Sequence, residues 1–567
     1  MSLKFSEMPY SRPDLEQAKK QMSAFARRFR KADSYEAYRA VYFDLQALVR
    51  EIDTQYMLAY VRNTMNTLDP FYAEEIAFYN ESLPVFAAAQ KKVIEALLAS
   101  PFRKNFEKEF GKITTKTYES DLLLQDRKII TQQINEANLS TEYSLTAASC
   151  KTDFRGETCN FYGLLKHMQS TDREERREAF FAWADLYESV SDKLDKQYTA
   201  LIRQRDKMAK KLGFSSFTRY AYLGKHRFDY TEEDIAAFRE QVYLHITPLC
   251  EEMYKAQAKR LGIDDLQLYD ETLFFPDGNA LPLHESGVMV EKANEMYHEL
   301  SKETGEFFDF MREHELFDLE TRPGKHLGGY CTHLPSYGAP FIFSNFNGTS
   351  ADVDVLTHEA GHAFQHFTAA KTQTIDDNIS STSEVNEIHS MAMEFLTYPY
   401  MDKFFGEKAD AYRFTHLCSA LAVIPYIVCV DEFQHRMYED TSITPAGRRR
   451  IWRELEKKYM PWRKYDGNKF LEKGGYWMQK QHIFLYPFYY IDYALAQLCA
   501  FELYGKAKDD PQGAWEQYMR LCRAGGSLGY FDLLKEAGLH NPLKGNNVRN
   551  MIASVKKEIR QGIKAYQ

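Results

Sequence analysis

Apolar residues recur three and four positions apart through most of this chain, and that spacing constrains its fold more than any other feature. The period is clear over residues 14–110 and again from residue 352 almost to residue 567. Side chains three and four positions apart share one face of a helix. The pattern therefore predicts a mainly α fold.

Three stretches interrupt the helical pattern. Residues 266–274 and 328–345 are rich in Tyr, Phe, Leu and Thr, and the second stretch also contains Gly and Pro. Such runs are typical of short strands and turns, so we expect them to form a small antiparallel β-sheet. Residues 113–163 also lose the helical period, and they predict loops with a short hairpin near their end.

A chain of 567 residues is too long for one ordinary core, so more than one lobe is expected. We place a boundary near residue 170, after the predicted hairpin. It separates an N-terminal helical lobe at residues 1–170 from a second domain at residues 171–567. A capping residue and early acids at residues 171–175 support a new helix there.

Composition argues against several classes of protein. The net charge is −9 without a long run of Lys or Arg, so neither nucleic acid nor a membrane surface is an expected partner. The longest apolar stretch, residues 417–430, contains Pro425 and predicts a buried helix, because a bilayer span needs roughly 20 residues. The eight cysteines lack CxxC spacing and no signal peptide is evident, which favours a cytoplasmic protein with reduced thiols.

One HExxH motif carries the clearest chemistry. His358 and His362 lie four positions apart, on one face of a predicted helix, with Glu359 beside them. Neutral imidazoles bind zinc, and a catalytic zinc keeps one position for water. The motif predicts one Zn²⁺ per chain and Glu359 as the general base.

The same two histidines could instead have a purely structural role, because this spacing also arises by chance and imidazoles can simply pack within a helix. His366 continues the same face, but at 1.5 Å per residue it lies about 12 Å from His358 and cannot share its ion. Position 368 is Thr, and no Gly closely follows His362, which disfavours a metzincin arrangement with a third histidine. A downstream carboxylate is therefore the expected third ligand.

A second predicted helix offers that carboxylate. Residues 380–396 begin with capping residues and present Glu384, Glu387 and Glu394. Glu387 and Glu394 are seven apart and share a face, whereas Glu384 suits a first turn. One member of the pair could bind zinc while the other accepts the free N–H of a ligating histidine.

Polar rings near the carboxyl end form a further candidate group at helical spacing. They are His482, Tyr486, Tyr489, Tyr490 and Tyr493. Several O–H donors aimed at one point would stabilise an oxyanion. Aromatic stripes are more often core, and Pro487 must begin or kink a helix, so the spacing leaves both interpretations open.

Together these motifs resemble the thimet oligopeptidase and oligoendopeptidase F family of zinc metallopeptidases, and the oligoendopeptidase F branch above all. The run at residues 354–362 resembles the zinc helix of the family, and residues 386–390 with Glu394 resemble its ligand helix. The late His and Tyr cluster matches as well. The resemblance runs from about residue 171 to the carboxyl end.

The resemblance implies a role for each site residue. It makes His358, His362 and Glu387 the zinc ligands, Glu359 the general base, and Glu394 a hydrogen-bonding support. The groups that would bind substrate and the tetrahedral intermediate are His482, Tyr486, Tyr490 and Tyr493, with Tyr489 as a substrate contact. The chain lacks the Gly-Tyr pair of the thimet branch near Pro487, so the division of labour among the tyrosines stays open, with Tyr490 ranked above Tyr489.

The resemblance also implies a fold and a substrate. The family has two helical lobes around a deep channel that admits short peptides. The strand at residues 337–345 resembles the sheet edge that pairs with a peptide backbone, with Gly338 and Ala339 as contacts. The expected function is a zinc-dependent endopeptidase acting on short oligopeptides. The alternatives are a zinc exopeptidase with the same ligands and a non-catalytic helical binding protein.

Overall fold

The computed structural model describes residues 3–322, 324–326 and 328–566. The outermost positions of the two predicted domains, residues 1, 2 and 567, lie outside this part of the chain. The chain forms two compact units, each built from three segments. Unit 1 comprises Met1–Arg127, Leu281–Ala409 and Lys506–Leu539, and unit 2 comprises Lys128–Ala280, Asp410–Gly505 and His540–Gln567. The boundary near residue 170 remains a prediction.

The predicted mainly α fold is confirmed. The first thirteen helices are α1 (Leu15–Lys31), α2 (Tyr35–Met65), α3 (Pro70–Leu98), α4 (Arg103–Phe110), α5 (Ile113–Leu124), α6 (Ile130–Ser149), α7 (Phe161–His167), α8 (Arg173–Lys211), α9 (Phe217–Gly224), α10 (Glu232–His245), α11 (Thr247–Leu261), α12 (Ser286–Leu300) and α13 (Lys302–Glu313). The remaining helices are α14 (Ala351–Thr372), α15 (Ser383–Leu396), α16 (Asp402–Phe405), α17 (Ala409–Glu439), α18 (Pro445–Tyr459), α19 (Lys469–Glu472), α20 (Gln481–Leu485), α21 (Ile491–Asp509), α22 (Pro511–Ala524), α23 (Tyr530–Ala537), α24 (Asn547–Met551) and α25 (Ala553–Ala565).

The first helices of unit 1 begin at side-chain caps and bury one apolar cluster. Asp14 accepts a hydrogen bond from the backbone N–H of Gln17, and Ser34 accepts one from that of Ala37. These bonds satisfy N–H groups that the first turn of a helix leaves without a partner. Helices α1, α2, α3 and α4 then share a buried core to which Met22, Phe29, Tyr38 and Phe106 contribute.

Unit 1 also contains a three-stranded sheet beside helix α14. Its strands are β3 (Phe317–Glu320), β4 (Tyr330–Leu334) and β5 (Ala339–Phe346), in the spatial order β3-β5-β4. Strands β4 and β5 are antiparallel, but β3 pairs with β5 in parallel, so the sheet is mixed and the wholly antiparallel prediction is wrong. Composition identifies strand-forming residues but does not fix the side on which a third strand joins a hairpin.

The predicted strand at residues 266–274 is also wrong. This segment contains a short 3₁₀ turn, Leu268–Asp270, and no strand. Asp270 is fully buried, accepts a hydrogen bond from the backbone N–H of Gln267, and forms ion pairs with Arg173 and Arg176. The two distant arginines hold the turn, and local composition does not reveal them.

Residues 113–163 are more helical than expected. They form α5, α6 and the start of α7, and only the hairpin of β1 (Thr152–Phe154) and β2 (Glu157–Cys159) follows the prediction. The hydroxyls of Thr141 and Thr146 donate to the carbonyls of Ala137 and Glu142, one turn earlier, at 3.1 and 2.8 Å. Hydroxyl residues that bond back in this way occupy helices despite their low propensity, which explains the error.

Helix α17 confirms the buried apolar helix predicted at residues 417–430. It runs through Pro425, and Leu421, Ile424 and Val430 are almost fully buried. One helical stretch, Asp402–Glu439, is long and apolar enough to cross a membrane, but 72% of its most apolar window is buried inside the protein. That burial is typical of the core helix of a folded domain.

Candidate active site

The HExxH helix, α14, begins immediately beyond strand β5. Ser350 occupies the N-cap position, but its side chain makes no capping hydrogen bond. Instead, the Asp352 carboxylate accepts the backbone N–H groups of Asn347 and Gly348, at 3.0 and 2.7 Å. An acid in the first turn is stabilised there by the helix dipole as well. These bonds fix the start of α14 against the end of β5.

Gly361, within the motif, permits an unusually close approach between α14 and α15. A Cβ atom at this position would lie 2.6 Å from the carbonyl oxygen of His389 and from the Cα of Ser390. Atoms so close would overlap, so any larger residue would push the two helices apart. The glycine thus lets α15 bring its carboxylates up to the histidines of α14.

Three side chains converge at this helix contact in an arrangement suited to a metal ion. Glu387 Oε2 lies 3.4 Å from His358 Nε2 and 3.5 Å from His362 Nε2. Zinc bonds of 2.0–2.1 Å in a tetrahedron place two ligand atoms about 3.3 Å apart, so this donor set fits zinc. The residues alone left the third ligand open among three acids, and Glu387 is the acid that completes this group.

Glu394 orients His358 through the ring nitrogen that does not face Glu387. His358 Nδ1 donates to Glu394 Oε1 at 2.5 Å, which leaves His358 Nε2 facing Glu387. A hydrogen bond of this kind fixes the tautomer and the ring orientation of a metal-ligating histidine. Glu384 is buried in the first turn of α15 and lies outside the three-residue group.

The electrostatics of the centre favour a bound cation. Burial raises the pKa of the Glu359 carboxyl, against the opposing effect of His358 and His362. Burial alone would also raise the pKa of Glu387, but the same two imidazoles outweigh it and hold that pKa well below its usual range. A divalent cation bound to neutral imidazoles would supply the positive charge that the protonated histidines otherwise provide to these carboxylates.

His366 lies apart from this centre, as its position along the helix predicts. Its ring stacks on that of His333 from β4, with ring centroids 4.3 Å apart. Burial lowers the pKa of both imidazoles. The pair belongs to the packing between α14 and the sheet.

The polar rings near the carboxyl end lie in unit 2, and no single helix carries them. Helix α20 ends at Leu485 and α21 begins at Ile491, so the helical spacing is interrupted around Pro487, where the sequence predicts that a helix begins or kinks. Phe488 has a φ of 62°, in the left-handed region that disfavours bulky residues. The break is held by Gln434, whose side-chain oxygen accepts the Phe488 N–H at 3.0 Å, and by Arg227, which donates to the Phe488 carbonyl at 2.5 Å.

The rings nevertheless gather around His482. Its ring centroid lies 4.8 Å from that of Tyr490, 5.9 Å from Tyr486, and 6.1 Å from both Tyr489 and Tyr493. Tyr490 is 8% exposed and Tyr486 is 54% exposed. The cluster therefore has a buried end at Tyr490 and an open end at Tyr486.

The sheet places the two predicted substrate contacts at a hairpin. Gly338 has a φ of 56° and ends the 3₁₀ turn Pro335–Tyr337, and Ala339 begins β5 and pairs with Leu334. Strand β5 lies between β3 and β4, so the prediction that it forms the sheet edge is wrong. Within the described part of the chain, β4 is the outer strand on this side. Composition does not show which strand of a hairpin a third strand will cover.

Several residues that position the candidate site cannot be identified from the sequence motifs. Gln434 and Arg227 are more than fifty positions from the segment that they hold. Asp352 could be anticipated as a first-turn acid, but its contact with the preceding loop could not. Only Gly361 stands inside a recognised motif, where close helix packing is a reason to expect glycine.

Comparison with known proteins agrees with this geometry. Residues 166–552 match the model of peptidase family M3, and residues 5–124 match its N-terminal domain model. The chain belongs to peptidase family M3. This assignment confirms the resemblance drawn from the HExxH motif, the ligand helix and the late ring cluster.

This M3 peptidase resembles one solved structure closely over almost its whole length, whereas the curated relatives are more distant in sequence. A solved structure titled PZ peptidase A with inhibitor 2 has a TM-score of 0.95 and 40% identity, covering 98% of this chain and 99% of that one. Oligopeptidase PepF of Bacillus subtilis is 23% identical over 74% of this chain. Oligoendopeptidase F of Lactococcus lactis subsp. cremoris is 22% identical over 67% of this chain. The alignments span 62% of each of these two curated relatives.

Proposed function

We propose that this M3 peptidase is a zinc-dependent endopeptidase that hydrolyses short oligopeptides. The observation that carries the proposal is the convergence of His358, His362 and Glu387 on α14 and α15, with spacings of 3.4 and 3.5 Å that suit zinc. These three residues would hold one zinc ion per chain. When bound there, zinc would polarise a scissile carbonyl and lower the pKa of a water molecule.

Glu359 is the general base in this proposal. Glu359 follows His358 on α14, and the residue is 8% exposed. It would accept a proton from the attacking water and deliver it to the leaving amine. Burial raises the pKa of this carboxyl, which helps it to hold the proton between the two transfers.

Glu394 and the His482 cluster have supporting roles. Glu394 orients His358 through the Nδ1–H hydrogen bond. Tyr490 and His482 would donate to the oxyanion, with Tyr486 and Tyr493 beside them and Tyr489 contacting substrate. Support comes from the family membership and from the 4.8 Å approach of the His482 and Tyr490 rings.

Short peptides are the proposed substrates, because the names of the relatives from Bacillus subtilis and Lactococcus lactis denote oligopeptidase and oligoendopeptidase activity. Gly338 and Ala339 remain the proposed backbone contacts for such a peptide. A cytoplasmic site of action is favoured by eight cysteines that form no disulfide among the described residues. Nucleic acid and membranes are not proposed partners.

Cleavage of a short fluorogenic peptide blocked at both ends tests this function. We expect cleavage at an internal bond, loss of cleavage on treatment with a chelator, and recovery on addition of zinc. An exopeptidase would leave the doubly blocked peptide intact and would cleave only the matching peptide with free ends. Cleavage that persists after complete zinc removal would overturn the proposed zinc dependence.

A further inference from the structure

A second group of metal-ligand side chains lies in unit 2, on the β1–β2 hairpin and helix α7. It consists of Glu157, Cys159 and His167, whose ligand atoms all lie within 4.8 Å of one another. Glu157 and Cys159 stand two positions apart on β2, and residues at that spacing point to the same face of a strand. His167 is the last residue of α7.

The local fold holds the thiol of Cys159 against α7. Cys159 pairs with Thr152 in the hairpin, and the next residue, Asn160, caps α7 by accepting the backbone N–H groups of Tyr162 and Gly163. A Cβ atom at Gly163 would lie 3.3 Å from the Cys159 sulfur, so the helix packs tightly on this side chain. The strand, the cap and the helix together fix the position of the sulfur.

A carboxylate orients the histidine in the same way as at the active site. His167 Nδ1 donates to Glu175 Oε1 at 2.7 Å, and Ser170 donates to the other oxygen of Glu175 at 2.8 Å. The second ring nitrogen, Nε2, then faces the Glu157 carboxylate at 3.9 Å. A histidine held by a carboxylate on one nitrogen presents the other to a metal.

We propose that Glu157, Cys159 and His167 form a second metal site, selective for zinc or a similar transition metal ion. A thiolate, an imidazole and a carboxylate are all ligands of zinc, and sulfur disfavours magnesium and calcium. The bound ion would tie the β1–β2 hairpin to α7, with Glu175 on α8 as a positioning residue. This site lies within unit 2, so the inference does not rest on the proposed catalytic centre.

Cobalt(II) substitution gives a readout of this site that is independent of activity. A thiolate ligand produces a sulfur-to-cobalt charge-transfer band in the near ultraviolet, whereas His358, His362 and Glu387 contain no sulfur. We expect the zinc-free full-length protein to show this band on addition of cobalt, and Cys159→Ser to lose it. The matched control is Cys331→Ser, because Cys331 on β4 is the thiol near Glu359, and it should keep the band.

Zinc content provides the second test. We expect two zinc ions per chain in the wild type loaded with zinc and one in Cys159→Ser. Glu175→Gln should weaken zinc binding at the second site about 10–100-fold. If Cys159→Ser does not fold, Glu157→Gln replaces it as the test variant, because it changes an exposed side chain and leaves the core intact.

Two results would overturn the second site. One is a cobalt spectrum without the thiolate band, or with a band that Cys159→Ser leaves unchanged. The other is a zinc content that is the same in Cys159→Ser as in the wild type. His358→Ala separates the two proposals: it should remove the zinc of the catalytic centre while keeping the thiolate band, so failure at one site is distinguishable from failure at the other.

Discussion

The proposed metal centre of unit 1 and the His482 cluster of unit 2 are assembled in different ways. The proposed centre lies on two uninterrupted helices, with two proposed ligands four positions apart on α14 and the third on α15. The ring cluster instead spans a break between α20 and α21, where Phe488 has a left-handed φ of 62°. Residue spacing therefore suffices to place the proposed ligands on α14 on one face, but it does not give the backbone path between Leu485 and Ile491.

The difference lies in which contacts fix each backbone. A helix positions residues by its own hydrogen bonds, so spacing in sequence translates directly into spacing on a face. The break at Phe488 depends on Gln434 and Arg227, which reach it from distant parts of the chain. We expect the metal centre to be sensitive to helix packing and the ring cluster to the contacts that hold the break.

Among changes that leave Glu359 in place, the largest expected effect is that of Tyr490→Phe. Loss of a hydrogen-bond donor to an oxyanion lowers kcat by about 10²–10³-fold with a smaller change in KM. Steady-state kinetics on the blocked peptide measure it. Tyr489→Phe is the matched variant and should have the smaller effect. A larger loss in Tyr489→Phe would reverse the ranking of the two tyrosines, and no loss in either would remove them from the proposed mechanism.

The next effect concerns Glu394, which belongs to the metal centre. Glu394→Gln keeps the shape of the side chain but weakens its hydrogen bond to His358 Nδ1, so zinc affinity should fall about 10–100-fold. Competition with a zinc chelator of known affinity measures the change. Activity should return at high zinc concentration. Unchanged zinc affinity would show that Glu394 does not orient the ligand.

Gly361→Ala tests the close contact of α14 and α15. Its effect on cleavage should be smaller than that of Glu394→Gln, and its main effect should be on stability. The added methyl group would overlap with His389 and Ser390 and should lower the free energy of unfolding by about 1–3 kcal/mol. Gly287→Ala in α12 is the control, because a Cβ there meets no atom within 4 Å. Urea unfolding measures both variants. Equal stabilities would contradict the packing role of Gly361.

The smallest effect on cleavage is expected at His435, whose ring lies 5.0 Å from that of Phe488 beside the break. Burial lowers the pKa of His435 to about 4, with further effects from Asp431, Arg239, Arg227 and Glu432. Tyr222 also faces it, at 3.2 Å from Nε2. A histidine with a lowered pKa in the folded state contributes stability above its unfolded pKa of about 6.5, and loses it as the pH falls towards 4.

His435→Gln should therefore flatten the acid loss of stability between pH 6.5 and pH 4, by at most about 3 kcal/mol. Urea unfolding at several pH values tests this, with the exposed His298→Gln as control. Cleavage at neutral pH should stay near the wild-type rate. An acid profile identical to that of the wild type would show that His435 does not titrate on unfolding.

Much of unit 1 follows from the sequence because its elements obey local rules. Caps at Asp14 and Ser34 begin helices where the apolar period starts, and the HExxH spacing predicts one face of α14. Spacing favours Glu387 and Glu394 over Glu384, and only the resemblance selects Glu387 as the proposed third ligand. The packing of α15 at Gly361 brings Glu387 to the histidines.

The errors arise where distant contacts override local preference. Asp270 turns a strand-like segment because two arginines of α8 reach its buried carboxylate. Strand β3 joins the sheet in parallel beside β5, which no local pattern specifies. Hydroxyls in α6 bond back within the helix, so a composition typical of loops forms a helix there.

Glu359→Gln is the sharpest test of the proposed mechanism, with zinc content and cleavage of the blocked peptide measured on the same zinc-loaded sample. We expect the variant to keep its zinc at the His358, His362 and Glu387 centre while kcat falls about 10²–10⁴-fold, the range of general acid–base catalysis. Cleavage near the wild-type rate with zinc retained would contradict the role of Glu359 as general base.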